Sequence, residues 1–213
     1  MRIVTTEHLV DRLDSDLAWR KKELTALGFV LKTSGADRGQ ALLRGAVTLL
    51  YAHWEGYIKA AALGYVEFVG SRRLRNRELA DNFLALACRA LLRSGAESGR
   101  IGPHLDVISF LRNRLEERSR LPAKSIETRS NLSSSVFREI TAVLGLNYEP
   151  YETKAVLIDE SLLHARNTIA HGEYVLVTMD RWDELHHEVL TLLESFRTDV
   201  MNAAVLERYR LGS

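Results

Sequence analysis

Hydrophobic residues recur at helical intervals along almost the whole chain. In the first segment the leucines mostly lie three, four or seven residues apart: Leu9, Leu13, Leu17, Leu24, Leu27 and Leu31. Because a helical turn takes about 3.6 residues, these intervals place the leucines on one face of a helix, with charged residues between them. The pattern therefore predicts a long first helix over 7–32.

Later segments repeat this pattern. The longest apolar segment, 40–69, predicts the central helix of a bundle, and further helices are expected over 77–93, 104–118, 136–144, 154–170 and 181–206. Between Leu121 and Ser134 the period is lost among Pro, Ser, Thr and Lys, which indicates a surface loop. No segment alternates as a strand does. We expect an all-α fold, a helical bundle of about five to seven helices.

Composition favours a folded protein of ordinary globular type. The chain has 213 residues, 46% of them hydrophobic and 27% charged, which suits one domain over 1–213. Cys88 is the only cysteine, so an intramolecular disulfide is impossible and a reducing cytoplasm is favoured. The N-terminus lacks the apolar region of a secretion signal, and charged residues interrupt 40–69, so we expect a cytoplasmic protein without a membrane span.

The net charge of +1 hides local clusters of arginine. The first cluster comprises Arg72, Arg73, Arg75 and Arg77. A second basic stretch contains Arg112, Arg114, Arg118, Arg120, Lys124 and Arg129, which outnumber the acidic residues there. Two interpretations remain open for such clusters: a solvated basic face, or a track that binds the phosphates of RNA. The first cluster is our candidate RNA-binding surface.

The predicted helix over 154–170 has two unlike faces. One face is apolar and should be buried: Ile158, Leu162, Ala165 and Ile169. The opposite face is polar: His164, Asn167, Thr168 and His171. Arg166 lies about 140° around an ideal helix from His171, so one helix cannot direct both side chains at the same atom. The arginine must curl round, act together with a histidine of a partner subunit, or be structural.

The residues from Arg166 to His171 (RNTIAH) resemble the motif of the HEPN superfamily of ribonucleases and nucleotide-binding proteins: Arg, Asn, three residues, His. Two further segments are similar to the bacterial MAE-type HEPN branch. These are 51–59 (YAHWEGYIK) in the second long helix and 129–132 (RSNL), which precedes a helix that ends in Leu144-Gly145-Leu146. The resemblance therefore spans most of the chain.

The resemblance implies an endoribonuclease that uses neither a metal nor another cofactor. It also implies a homodimer in which the motif helices of both subunits meet in a shared cleft, which would answer the geometric difficulty at Arg166. Matched residue by residue, Arg166 and His171 correspond to the catalytic pair of the family and Asn167 to its polar neighbour. The expected partners are RNA, a second copy of the chain and an antitoxin protein, because the family includes toxins and antiphage effectors.

This chemistry is reasonable because RNA carries its own nucleophile, the 2′-hydroxyl beside the scissile phosphate. His171 can transfer a proton near neutral pH, and Arg166 can stabilise the charge that builds on the phosphate. Asn167 can orient the imidazole or contact the phosphate. Glu55 is a candidate supporting residue that would orient His171 or Arg166, although an ion pair with Lys59, four residues on, explains it equally well.

Other chemistry has weaker support in the sequence. His186 and His187 are neighbours and would point about 100° apart on a helix, so we expect no metal site. Cys88 lies in an apolar run and should be a buried small residue. The alternative function is a non-catalytic HEPN module that binds RNA, nucleotide or a partner protein. A third interpretation is a structural dimerisation bundle, in which replacement of His171 would alter stability and no activity.

Overall fold

The computed structural model describes residues 3–33, 36–122, 126, 128 and 131–212, which form helices joined by loops without a β-strand. In this part of the chain the α-helices are α1 (Thr6–Thr33), α2 (Ala36–Ser71), α3 (Asp81–Ala87), α4 (Arg89–Glu97), α5 (Ile101–Asn113), α6 (Ser134–Leu144), α7 (Ala165–Ala170) and α8 (Met179–Val205). A π-helical segment, Leu157–His164, leads directly into α7. Short 3-10 turns occur at Asn76–Glu78 and Glu149–Lys154. The predicted all-α fold is confirmed.

The core is built around α2, which packs against both α1 and α8. Its large side chains are enclosed: Trp54 and Tyr57 are fully buried, as is Trp182 on α8. Phe137 on α6 meets Trp54 edge-on, with 5.0 Å between the ring centroids. Burial of such aromatic area dominates core energetics, so α2 is the central helix that its apolar sequence predicts. No helix within the described ranges is long and apolar enough to cross a membrane.

Helix α6 forms as its sequence predicts, with a cap at each end. The Ser133 side chain accepts the N–H of Val136, and Gly145 adopts the left-handed conformation at φ 68°. The predicted helices over 7–32, 40–69 and 181–206 also match α1, α2 and α8, apart from a few terminal residues. The predicted loop between Leu121 and Ser134 is confirmed for the residues that the structure describes, while Lys124, Arg129 and Ser130 lie outside them.

The single helix predicted over 77–93 is wrong. It is replaced by the turn at Asn76–Glu78 and by α3 and α4, which divide at Cys88 with φ −102° and ψ 12°. Residues before α3 bond to the C-terminal segment instead of continuing a helix: the N–H of Ala80 donates to the carbonyl of Tyr209 at 2.8 Å. This division raises the number of α-helices in the described residues to eight, one more than predicted.

The helix predicted over 104–118 is displaced towards the N-terminus and becomes α5. It stops at Asn113 because the following residues pair with the turn after α2. The N–H of Asn76 donates to the carbonyl of Glu117 at 2.9 Å, and that of Arg77 to the carbonyl of Leu115 at 3.0 Å. These tertiary hydrogen bonds satisfy backbone groups that a longer helix would have used internally.

The helix predicted over 154–170 is divided into the π-helical segment and α7, which follow each other without a break. A π-helical turn is wider than an α-helical turn and often occurs at functional sites. The burial predicted for its apolar face is nevertheless confirmed. Ile158 and Leu162 are 0% exposed, and Ala165 and Ile169 are partly buried and pack against the core. On the other face His164 and His171 are exposed, whereas Asn167 and Thr168 are partly buried.

Candidate functional site

Arg166, in the first turn of α7, lies between α2 and the loop before α6. Its guanidinium carbon is 4.4 Å from the centre of the Tyr51 ring. Its Nη1 donates to the side-chain oxygens of Asn131 at 3.2 Å and Asn167 at 2.6 Å. Its Nη2 is 3.8 Å from a carboxylate oxygen of Glu55, and only 25% of the Arg166 side chain is exposed. The motif arginine is therefore directed inwards and held on several sides.

Helix α2 supplies Tyr51 and Glu55 to this site. They are four residues apart and so share one face of the helix. The Tyr51 hydroxyl accepts the N–H of Leu132 at 2.6 Å, and Glu55 accepts a hydrogen bond from the hydroxyl of Thr128. Burial raises the pKa of Tyr51 to about 12, so its phenol is neutral at physiological pH. Through these hydrogen bonds, both residues hold the loop before α6 against α2.

Glu55 contacts the motif arginine, as one of the two interpretations of the sequence predicts. No ion pair joins Glu55 to Lys59, the other interpretation, in the described part of the chain. The Glu55 side chain is only 18% exposed, and its second oxygen is bonded to Thr128. The contact with Arg166 is thus structural fact, whereas a role for Glu55 in function stays a prediction.

His171 lies just past the end of α7, where a specific turn closes the helix. The N–H of Gly172 donates to the carbonyl of Ile169 at 3.0 Å, and that of Glu173 to the carbonyl of Thr168 at 3.0 Å. Gly172 has φ 82°, a conformation that glycine adopts without strain. These bonds form a Schellman motif, and they fix where the exposed His171 leaves the helix.

Within one chain, Arg166 and His171 do not converge. Arg166 faces α2 and is partly buried, whereas His171 is exposed and has no side-chain hydrogen bond to any residue in the described ranges. The separation of five residues in sequence amounts to about 7.5 Å along a helix and about 140° around it. The Arg166 and His171 side chains of one chain therefore point in different directions, as the helical period of the sequence predicts.

A cleft of about 480 Å³ runs beside the outer face of the motif helix and is lined by His164, Thr168, Tyr174 and Leu176, among others. Tyr174 is 69% exposed and Leu176 is 66% exposed. The guanidinium of Arg44 lies over the Tyr174 ring at 5.1 Å. The surface beside the motif helix therefore contains both polar and aromatic side chains.

The candidate RNA-binding arginines lie far from Arg166. Ser71, where α2 ends, is about 24 Å beyond Glu55 along the helix axis, at a rise of about 1.5 Å per residue. Arg72 follows directly, and its Nη1 is 3.5 Å from the carbonyl of Val4. Any RNA that contacts both regions would have to span this distance, so the structure does not bring Arg72 into the motif site.

Two members of the arginine cluster are ion-paired. The Nη1 atoms of Arg75 and Arg77 lie 2.8 Å and 2.5 Å from the two carboxylate oxygens of Glu116. Arg118 donates to the carbonyl of Arg73. The two basic stretches of the sequence therefore meet on one surface, where a shared glutamate offsets part of their charge. Such an arrangement fits a solvated basic face, and RNA binding there stays a prediction.

The other residues considered for chemistry are packed in the interior or unclustered. The His186 ring stacks on Trp182 at 5.5 Å, and burial lowers the pKa of this histidine. Cys88 is 4% exposed, and burial raises the pKa of its thiol. Among the residues that the structure describes, no group of three or more His, Cys, Asp or Glu side chains could hold a metal ion.

The sequence did not assign Tyr51, Thr128 or Asn131 to the site. Tyr51 could have been found, because it stands one turn before Glu55 on the same face of a predicted helix. Asn131 belongs to a segment that carries the family resemblance, but nothing local indicates which partner it contacts. Its bond to Arg166 joins residues 35 positions apart and depends on tertiary structure.

Comparison with known proteins agrees with the all-α fold. The model of the MAE_28990-like HEPN family matches residues 9–209, which is nearly the whole chain. No curated protein and no solved structure matches the chain significantly. The matched range includes α2, the loop before α6 and the motif helix. The chain therefore belongs to the MAE_28990-like HEPN family, a branch of the HEPN superfamily.

Proposed function

We propose that this protein is a metal-independent endoribonuclease, a single HEPN domain over 1–213 whose site contains Arg166, Asn167 and His171. The observation that carries the proposal is the environment of Arg166. The Arg166 side chain is only 25% exposed, and it contacts Tyr51, Asn131, Asn167 and, through a weak ion pair, Glu55. The Arg, Asn and His residues of the motif are all present in the sequence. Membership of the HEPN superfamily supports a ribonuclease or a nucleotide-binding module.

The reaction needs proton transfer and stabilisation of charge. The 2′-hydroxyl attacks the adjacent phosphorus as it loses its proton, and the bond from phosphorus to the 5′-oxygen breaks as that oxygen gains a proton. The products are a 2′,3′-cyclic phosphate and a 5′-hydroxyl. His171 is the motif residue that transfers these protons, and the positive charge of Arg166 stabilises the phosphorane-like transition state.

The active site is formed between two copies of the chain. Arg166 is directed inwards and His171 outwards within one chain, so a site that uses both takes them from different subunits. The exposed Tyr174 and Leu176 beside the motif helix offer apolar area for such a contact. In the cell, the enzyme acts as a toxin restrained by an antitoxin protein or as an antiphage effector.

The alternative function is a HEPN module that binds RNA, nucleotide or a partner protein without cleavage. The observation that favours it is the same divergence of Arg166 and His171. If no second copy completes the site, Arg166 with its asparagines can still bind a phosphate, but no proton-transfer group lies beside it.

The test is cleavage of total RNA and transfer RNA by purified protein in excess EDTA. His171→Ala is compared with His164→Ala, which removes another exposed histidine of the same helical region. We expect cleavage in EDTA by the wild type and by His164→Ala, with cyclic phosphate ends. We expect a loss of about 10²-fold or more for His171→Ala. Equal rates for the two variants would remove His171 from the mechanism and favour the binding module.

A further inference from the structure

The orientation of two asparagine side chains next to Arg166 is determined by chemistry. A guanidinium group has only donors, so any amide that bonds to it must present its oxygen. The Oδ1 atoms of Asn131 and Asn167 do so, at 3.2 Å and 2.6 Å from Nη1 of Arg166. It follows that the NH₂ group of each amide is directed away from the arginine.

These two NH₂ groups donate to no other residue of the protein in the described ranges. Other asparagines of this chain use theirs for structure: Asn76 donates to the carbonyl of Arg114 at 2.8 Å, and Asn82 to that of Val143 at 2.9 Å. Asn131 is exposed and Asn167 is partly buried. A pair of donors is therefore presented beside a fixed positive charge.

The position of Asn131 is set by the backbone on either side of it. Its own N–H donates to the carbonyl of Thr128 at 3.0 Å, and the hydroxyl of Thr128 is bonded to Glu55. On the other side, the N–H of Leu132 donates to the Tyr51 hydroxyl at 2.6 Å. Helix α2 thus fixes both ends of this turn. Donors that are already in place lose little freedom when they bind an anion, which strengthens binding.

We infer that Asn131 is a substrate-binding residue that the HEPN motif does not contain. The amides of Asn131 and Asn167 donate to oxygens of an RNA phosphodiester, and Arg166 lies behind them and supplies the positive charge. The arginine orients both amides through their oxygens, so the three residues act as one anion-binding unit. This inference deepens the proposed function, on which it depends for the identity of the ligand.

The decisive variant is Asn131→Asp, which has the same shape. A carboxylate still accepts from Arg166, so the structural bond is kept or strengthened, whereas the NH₂ donor is lost. We expect the affinity for single-stranded 2′-O-methyl RNA, which lacks the free nucleophile, to fall about tenfold or more. The midpoint of thermal unfolding should stay at the wild-type value or rise. If Asn131 only held Arg166 in place, the affinity would fall no further than the added negative charge accounts for.

Two further variants separate the lost donor from the added negative charge. Asn147→Asp makes the same change at an exposed position beyond the far end of α6, where Oδ1 accepts the N–H of Glu149 at 3.1 Å. It should bind RNA nearly as the wild type does. Asn131→Ala adds no charge and should weaken binding at every salt concentration without altering the slope of log affinity against log salt, since no cation is removed.

Equal affinities for Asn131→Asp and Asn147→Asp would overturn the inference, as would the absence of any binding of this RNA by the wild type. Failure of the proposed function gives a different result. If the wild type binds the RNA but cleaves no RNA in EDTA, and Asn131→Asp still weakens binding, the phosphate-binding unit stands and the nuclease proposal falls. If the wild type cleaves and Asn131→Asp binds and cleaves equally well, only the role of Asn131 falls.

Discussion

Tyr51 and Tyr65 are both buried on α2, yet their hydroxyl groups are in opposite situations. The Tyr51 hydroxyl accepts the N–H of Leu132, a residue that is itself fully buried. The Tyr65 hydroxyl is buried without a hydrogen-bond partner in the described part of the chain. Since an unpaired buried polar group costs free energy, removal of the two hydroxyls should have opposite effects on stability.

Tyr51→Phe should lower the free energy of unfolding by about 1 to 3 kcal/mol, because the backbone N–H of Leu132 loses its acceptor where water cannot replace it. Tyr65→Phe should leave the free energy of unfolding unchanged or raise it, because it removes an unsatisfied group. Denaturant unfolding measures both. Equal destabilisation by the two variants would mean that the hydrogen bond to Leu132 contributes nothing specific.

His53 on α2 is a buried titratable group outside the motif. It is 2% exposed; its Nδ1 is 3.4 Å from Nη1 of Arg20, and its Nε2 is 2.8 Å from a carboxylate oxygen of Glu23. Burial lowers the pKa of His53 most, and Arg20 lowers it further, while Glu23 and Asp16 oppose this shift. The neutral imidazole is therefore the form that the folded protein favours.

Because the unfolded chain takes up a proton at His53 near pH 6.5 and the folded protein resists it, stability must fall as the pH drops through this range. The contribution of His53 is present above the pKa of an unfolded histidine, about 6.5, and is lost progressively as the pH falls below it. We expect His53→Gln to flatten the dependence of the unfolding free energy on pH in this window. His104→Gln, at an exposed histidine, serves as the control and should leave the dependence unchanged.

At the scale of the helix, Gly172, just past the C-terminal end of α7, and Gly45, within α2, have different conformational requirements. Gly172 closes α7 at φ 82°, a conformation in which a side chain is strained even though space is available. Gly45 is exposed within α2, and nothing lies within 4 Å of the position that a Cβ would occupy. Local conformation, rather than space, decides the effect of alanine at each position.

Gly172→Ala should lower the free energy of unfolding by about 1 to 2 kcal/mol, and it should also reduce RNA cleavage, because the turn fixes where His171 leaves the helix. Gly45→Ala should raise the free energy of unfolding by up to about 1 kcal/mol, because alanine is the better helix former. Denaturant unfolding and the cleavage assay are run on both variants. A stable Gly172→Ala protein with full activity would show that the turn is dispensable.

Much of this element structure can be predicted from local sequence, and its exceptions have tertiary causes. Periodic leucines and caps are sufficient for α1 and α6, since a helix and its ends depend on residues a few positions apart. The division at Cys88 has no glycine or proline to mark it, and the break before α3 is accompanied by hydrogen bonds of Glu78 and Ala80 to the C-terminal segment. The motif residues are likewise readable in sequence, whereas the contact of Asn131 with Arg166 exists only once α2 and α7 have packed.

At the scale of the whole molecule, the directions of Arg166 and His171 decide what the proposed dimer would have to do. Arg166 is held against α2 and faces inwards, while His171 is exposed beyond the turn at Gly172. A two-fold symmetric dimer would place the same surface of each copy against the other, so two sites would be completed at once. Each of the two sites would then take its arginine from one subunit and its histidine from the other.

This arrangement predicts that two inactive variants restore activity when mixed. In a heterodimer of Arg166→Ala and His171→Ala, one site receives the intact arginine of one chain and the intact histidine of the other, while the second site has neither. Such a heterodimer should have about half the activity of the wild-type dimer, and an equal mixture that exchanges subunits freely should have about a quarter of it. RNA cleavage after co-refolding of the two variants, with mass measurement to confirm the dimers, tests the prediction. If dimers form and the mixture stays inactive, both residues act within one chain, and α7 must then rearrange to bring them together.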